Sequence, residues 1–221
     1  MSIDLIVEAA VALADGKGLE ALTMRSLASD LGVRVMTLYN YVPSRSDLID
    51  LMLDSTYAAM PRQHQPDHAW QARVRDIADS NRSMLFLHLW AAAVSTARPP
   101  LGPGQMAKYE HELQAFTDSG LTDLQIDDSL NYLLSFVHAN ARDHAAIARA
   151  REQDGRDDFE WWTAVEPLLG KFLAPDAYPH AARIGSAAGA ARGSAYDPEH
   201  AYRFGRDRII DGLTRLAEAE H

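Results

Sequence analysis

Apolar residues recur every three to four positions along nearly the whole chain, and that periodicity leaves room for little but helices. Ile3, Ile6, Val7, Ala10, Val11 and Ala14 share one face of an amphipathic helix, which Gly16 and Gly18 are expected to stop. Thr23 stands where an N-cap belongs, ahead of Leu27, Ala28 and Leu31, and Gly32 ends that short helix. A third helix is expected from about Val35 to Tyr41, closed by Pro43. Ser44 can cap a fourth, with Leu48, Ile49, Met52 and Leu53 on its inner face. Pro61 and Pro66 bracket a polar connector, the candidate boundary between a module over 1–60 and a larger domain over 61–221. Helical spacing resumes near His68 and runs to about Thr96, with a break expected near Ser80. The Arg-Pro-Pro-Leu-Gly-Pro-Gly run at 98–104 is expected to be non-helical. Beyond it the spacing predicts helices over roughly 105–119, 124–151, 158–173 and 198–219, with a break at Gly120. Residues 174–198 read as a loop with at most one weak helix. No strand pattern competes, so the expected fold is all-α with nine to ten helices.

Composition narrows the function classes. The chain has 221 residues, with 21 Lys plus Arg against 31 Asp plus Glu, a formal net charge of −10. Such an acidic chain is no bulk nucleic-acid coat, so any DNA contact must come from a local patch. There is no cysteine, which excludes disulfides, thiolate metal sites and cysteine nucleophiles. No apolar run is long enough to cross a membrane, and the N-terminus carries acids where a secretion signal carries bases. A cytoplasmic protein without membrane partners is expected.

Residues 23–45, TMRSLASDLGVRVMTLYNYVPSR, read as a helix-turn-helix. Ala28 is the small residue wanted where the two helices cross, and Gly32 tolerates the positive φ of the turn. Leu27, Leu31, Val33 and Leu38 would form a small core. The second helix would enter the major groove, presenting Arg34, Val35, Met36, Thr37, Asn40 and Tyr41. Arg34 suits guanine and Asn40 adenine. Thr37 and Tyr39 are candidate phosphate ligands, as are the flanking Arg25 and Arg45. Three bases, Arg25, Arg34 and Arg45, face one acid, Asp30, within the motif. A buried helical hairpin with no DNA role would show the same spacing.

These residues resemble the DNA-binding module of the tetracycline-repressor (TetR/AcrR) family. The resemblance lies in Leu27-Ala28-Ser29-Asp30-Leu31-Gly32-Val33, Thr37-Leu38-Tyr39-Asn40-Tyr41-Val42 and Arg45-Ser46-Asp47-Leu48-Ile49. It implies an all-helical homodimeric repressor that releases double-stranded operator DNA when a small-molecule effector enters its C-terminal domain. It also implies that Thr37, Tyr39 and Tyr41 face DNA, with Arg45 on its backbone. Downstream, Trp70 to Pro99 and the closing Tyr202-Arg203-Phe204-Gly205-Arg206-Asp207-Arg208-Ile209-Ile210-Asp211-Gly212-Leu213 look like the tetracycline repressor's own C-terminal class. The family's magnesium–tetracycline site places a histidine and a threonine just before the Arg-Pro turn, where this chain has Val94 and Ala97. A different inducer, with no metal or other cofactor, is expected.

The middle helices are rich in aromatics, and effector pockets are mostly apolar with a few placed polar groups. Phe86, His88, Trp90, Tyr109, Glu112, Leu113, Phe116, Tyr132, Phe136, His138 and Trp161 are the candidate pocket residues, though an aromatic stripe also reads as core. Tyr109, Leu113 and Phe116 share a helix face and match pocket positions of the family. The dimer surface is expected from Leu130, Leu134, Val137 and Ala141 on the long helix and Ile209, Gly212, Leu213 and Leu216 on the last. An enzyme finds no support. The nine histidines contain no H-E-x-x-H, and no phosphate loop or nucleophile elbow is present. A helical small-molecule-binding protein, or an activator on the same scaffold, is the alternative.

Overall fold

The computed structural model describes residues 1–62, 67–94, 99–172, 176–193 and 196–219. Among them are ten α-helices and no strand: α1 (Ile3–Lys17), α2 (Met24–Asp30), α3 (Val35–Tyr39), α4 (Arg45–Ala59), α5 (Trp70–Leu87), α6 (Pro103–Gln114), α7 (Asp123–Asp154), α8 (Asp158–Phe172), α9 (Pro179–Arg192) and α10 (Pro198–Ala219). Short 3₁₀ turns lie at Leu19–Ala21 and Leu89–Ala93. Two compact units result: Met1–Arg142 with Gly205–His221, and Asp143–Phe204.

Local chemistry explains most boundaries. Thr23 caps α2 by accepting from Ser26 N–H, and the Ser26 hydroxyl accepts from Thr23 N–H in return, a reciprocal capping box. Ser44 caps α4 by accepting from Asp47 N–H. Gly18 alone ends α1, at φ 80°, because Gly16 adopts ordinary helical geometry.

Four expectations are corrected. Helix α3 closes at Tyr39, since the Tyr41 amide donates to Leu38 in a tighter turn. Helix α5 runs unbroken through Ser80 and stops at Leu87. The proline-rich run turns helical sooner than expected: Gly102 is an N-cap and Pro103 takes the first turn of α6, where its missing N–H costs nothing. The weak stretch 174–198 holds a 14-residue helix, α9, opened by Pro179 and closed by Gly193 in the left-handed conformation. The expected Arg98 turn falls outside the described residues.

In the first unit, α1, α2 and α4 close over Ile6, Ala10, Leu22, Leu27, Leu38, Val42, Leu48 and Met52, all fully buried. Helix α4 then packs along α6. Gly104 makes that approach possible, because a Cβ there would run into the Asp54 carbonyl oxygen. The Asp54 carboxylate accepts from Gln105 N–H at 2.7 Å, so a residue of α4 caps α6. Trp70 stacks on Phe116 at 6.3 Å, and Arg206 on α10 grips both oxygens of Asp79 on α5 at 2.8 and 2.9 Å. The second unit is thinner. Gly189 of α9 lies against the Trp162 ring of α8, and Phe159 and Phe172 remain 65% and 77% exposed.

Candidate DNA-reading helix and effector cleft

The turn between α2 and α3 is built as the spacing implied. Gly32 has φ +66°, and a Cβ there would touch nothing, so glycine serves backbone conformation rather than space. Val33 N–H donates to the Ala28 carbonyl at 2.9 Å, and Ala28 is 1% exposed at the crossing. Leu38 points inward, with no exposure at all. That single anchor sets the rest of α3 facing solvent. Met36 is 69% exposed, Tyr39 and Tyr41 about 40%, and Arg34 and Asn40 are exposed. Val35 and Thr37 are half-buried, and Arg25 is exposed on α2. A helix of five residues with the Tyr39 phenol outward, flanked by an exposed arginine, amide and second phenol at positions 34, 40 and 41, can lie in a groove and bond to base edges and phosphates.

Arg45 has a different position from the one expected. Its guanidinium donates to the carbonyls of Leu22 at 2.6 Å and Leu19 at 2.7 Å, tying α4 to the turn before α2. Those two donors are therefore spent within the fold.

The first unit also holds a cleft of about 560 Å³ between α4, α5 and α6. Thr56, Met60 and Pro61 come from the end of α4, Ile77, Met84, Leu87 and His88 from α5, and His111 and Ala115 from α6. Arg73 lines it too, yet its guanidinium donates to the carbonyls of His68, Ala115 and Thr117 and is held to the wall. Beyond the cleft, and sharing Met60, Pro61, Ile77, Ser80 and His111 with it, lies a nook of about 10 Å³. Its polar floor is Asn81, Lys108 and Glu112, each less than a tenth exposed. Lys108 Nζ pairs with Glu112 Oε1 at 2.6 Å, and Asn81 Nδ2 donates to the same oxygen at 2.6 Å. Lys108 also sits 5.1 Å above the Tyr57 ring. Burial and the Glu112 charge push the Tyr57 hydroxyl up to about 12. The Asn81 carbonyl oxygen is buried without a partner, as is Nδ1 of His138. Burial, with Lys108 and Arg142 nearby, pulls His138 down to about 4, so it is neutral at pH 7.

Only two expected pocket residues belong here, His88 in the cleft and Glu112 in the nook. The others are corrected. Phe116 and Trp90 are core, 1% and 3% exposed. Tyr109 donates to Asp127 at 2.8 Å, a bond that raises its pKa. Phe86 lies under the Arg82 guanidinium, and Phe136 packs on Gly205. Leu113 is half-buried outside the lining, His138 is buried apart from it, and Tyr132 is 62% exposed on α7. Trp161 is 41% exposed on α8 in the second unit. The missed residues share a cause: Met60, Ile77 and His111 converge only through folding. Asn81 alone left a signal, as an amide on the apolar stripe Ile77, Ala78, Met84, Leu85.

The dimer stripe is corrected as well. Leu130, Val137 and Ala141 are 0–2% exposed inside one chain, and Ile209 and Leu213 are buried there too. Leu134 is half-buried, while Gly212, with open space above it, and Leu216, 38% exposed, stay at the surface.

Residues 6–52 match the family model described as bacterial regulatory proteins, tetR family, and residues 61–217 match the tetracyclin repressor-like C-terminal domain. The chain belongs to the TetR family of transcriptional regulators. It is a ligand-responsive repressor of that family, and the family consists of regulators rather than enzymes. It is 35% identical to the HTH-type transcriptional repressor DrrR1 of Streptomyces coeruleorubidus, over 98% of this chain and 78% of that one. It is 29% identical to the class E tetracycline repressor of Escherichia coli, over 100% and 95%. Among solved structures it resembles ActR of Streptomyces coelicolor in complex with actinorhodin, with a TM-score of 0.80, 27% identity and 96% and 95% coverage. Among the described residues no helix of this TetR-family chain is long and apolar enough to cross a membrane, and no cluster of His, Cys, Asp or Glu could hold a metal ion.

Proposed function

We propose that this repressor acts in the cytoplasm as a homodimer on a palindromic operator and is released by a small, largely apolar molecule carrying a hydrogen-bond donor. Residues 1–60 read DNA through Arg34, Val35, Met36, Thr37, Tyr39, Asn40 and Tyr41, with Arg25 on the backbone. Residues 61–221 bind the effector and pair the two chains. The observation that carries this reading is the position of the cleft. Its wall includes Thr56, Met60 and Pro61, at the end of the helix whose start, Arg45, is bonded to the turn before α2. A molecule in the cleft therefore presses on the helix that bears the module. The effector class follows from the lining: methionines, leucine and isoleucine for an apolar body, and the unpartnered Asn81 oxygen in the nook for one donor group. The complex of the similar ActR with actinorhodin supports a small-molecule effector for this chain. The dimer would use the face that stays exposed on α7 and α10, with Tyr132, Gly212 and Leu216, and would place two recognition helices about 34 Å apart.

The test is fluorescence anisotropy on duplex DNA from the gene's own upstream region, at stated salt, against a scrambled duplex. Two chains per palindrome, with specific binding lost on adding a small, largely apolar molecule that carries a hydrogen-bond donor, is the expected result. Binding indifferent to sequence would defeat the reading.

A further inference from the structure

One contact reaches from the wall of the cleft directly to the first helix of the DNA-binding module. Asp15 stands in the last turn of α1, whose inner face (Ala10, Leu13, Ala14) is buried. Its carboxylate takes two donors from the far end of α5 and the turn after it. Trp90 Nε1 donates to Oδ1 at 2.8 Å, and His88 Nδ1 lies 2.9 and 3.1 Å from the two oxygens. An ionised carboxylate only accepts, so His88 carries a proton on Nδ1. The imidazole is in place because His88 has left helical geometry, at φ −124° and ψ 70°, and the indole is fixed because Trp90 is 3% exposed. The two rings lie tilted, 6.1 Å apart, on one carboxylate. His88 is also a wall of the 560 Å³ cleft.

We propose that Asp15, His88 and Trp90 form a coupling latch, with His88 as the residue that reports occupancy of the cleft to α1. This rests on the cleft being the effector site, as proposed above. Trp90 is the fixed half of the latch, and His88 is the movable half. A ligand that displaces the imidazole by about an ångström takes Nδ1 beyond hydrogen-bonding distance of Asp15. Ligand and latch then exclude one another. Ligand and operator exclude one another as well in a repressor released by its effector. The closed latch therefore belongs with the DNA-binding form, and opening it by mutation imitates the effector. This route runs through α1 and is separate from the Arg45 and Asp54 bonds of α4.

The experiment measures operator affinity of the full chain by anisotropy for wild type, Asp15→Ala, His88→Phe, His88→Gln and the Asp15→Ala/His88→Phe double variant. Thermal melts accompany each. His88→Phe is expected to weaken binding about tenfold, within the usual range of coupling between sites. The double variant should be no weaker than Asp15→Ala alone, because that change already removes the acceptor that His88 uses. His88→Gln, whose amide N–H can still reach Asp15, should recover most of the loss. His88→Phe within twofold of wild type, or losses that multiply in the double variant, would overturn the latch. A His88→Phe chain that fails to melt cooperatively moves the decision to His88→Gln: full recovery of affinity and fold supports the latch, and a tenfold loss despite a normal melt overturns it. If wild type itself shows no sequence-specific binding, the repressor reading fails first and the latch falls with it.

Discussion

The recognition helix and the effector cleft solve opposite problems with the same kind of secondary structure. Helix α3 buries one residue, Leu38, and leaves its polar groups to solvent and partner. The cleft region buries a lysine, a glutamate and an asparagine and bonds them to one another. A surface meant to read DNA must keep its donors free, and exposed polar groups cost little. A pocket meant to discriminate small molecules needs polar groups held in place, and holding them means desolvating them. Stability and recognition are therefore nearly separable in the first region and fused in the second.

Mutations can break that contrast. The largest effect is expected for Glu112→Ala, which leaves the Lys108 ammonium buried without its carboxylate. Urea denaturation should register a loss of about 3–5 kcal/mol. A neutral outcome would mean that the nook is not closed to water. Leu38→Ala should cost about 2–4 kcal/mol and take operator affinity with it, because the anchor of α3 is also its core. The pH profile is next. His138, at about 4 when folded against about 6.5 when unfolded, binds fewer protons in the native state. Stability should fall as pH drops from about 6.5 toward 4, by on the order of 2–3 kcal/mol. A His138→Gln chain should show a flatter profile in chemical denaturation across that window.

Arg34→Ala sharpens the comparison from the other side. It should cost about 1–3 kcal/mol of operator affinity while the melting temperature stays put. A matching loss of stability would show that Arg34 serves the fold. The smallest effect expected is about 1 kcal/mol for Thr23→Ala, the loss of one cap, read as a shift in the urea midpoint with little change in DNA sequence preference.

Legibility in the sequence followed the range of the interactions. The Thr23 cap, the Gly32 turn, the Ala28 crossing and the inward Leu38 all depend on neighbours within about ten residues, and each stands where its spacing placed it. The aromatics of the middle helices were misassigned because periodicity identifies an apolar face without saying what covers it. Phe116 found Trp70, and Trp90 found Asp15, 75 positions away. The same ambiguity placed Leu130, Val137 and Ala141 on a partner when the chain's own core takes them.

The amino-acid order by itself determined most of the helices and the helix-turn-helix, because capping, turn conformation and 3.6-residue spacing are local properties. The cleft at the end of α4, the buried Lys108–Glu112–Asn81 cluster and the bond from His88 to Asp15 were decided only in the tertiary structure. Each needs side chains from separate helices at hydrogen-bonding distance, and no one-dimensional pattern encodes which faces meet.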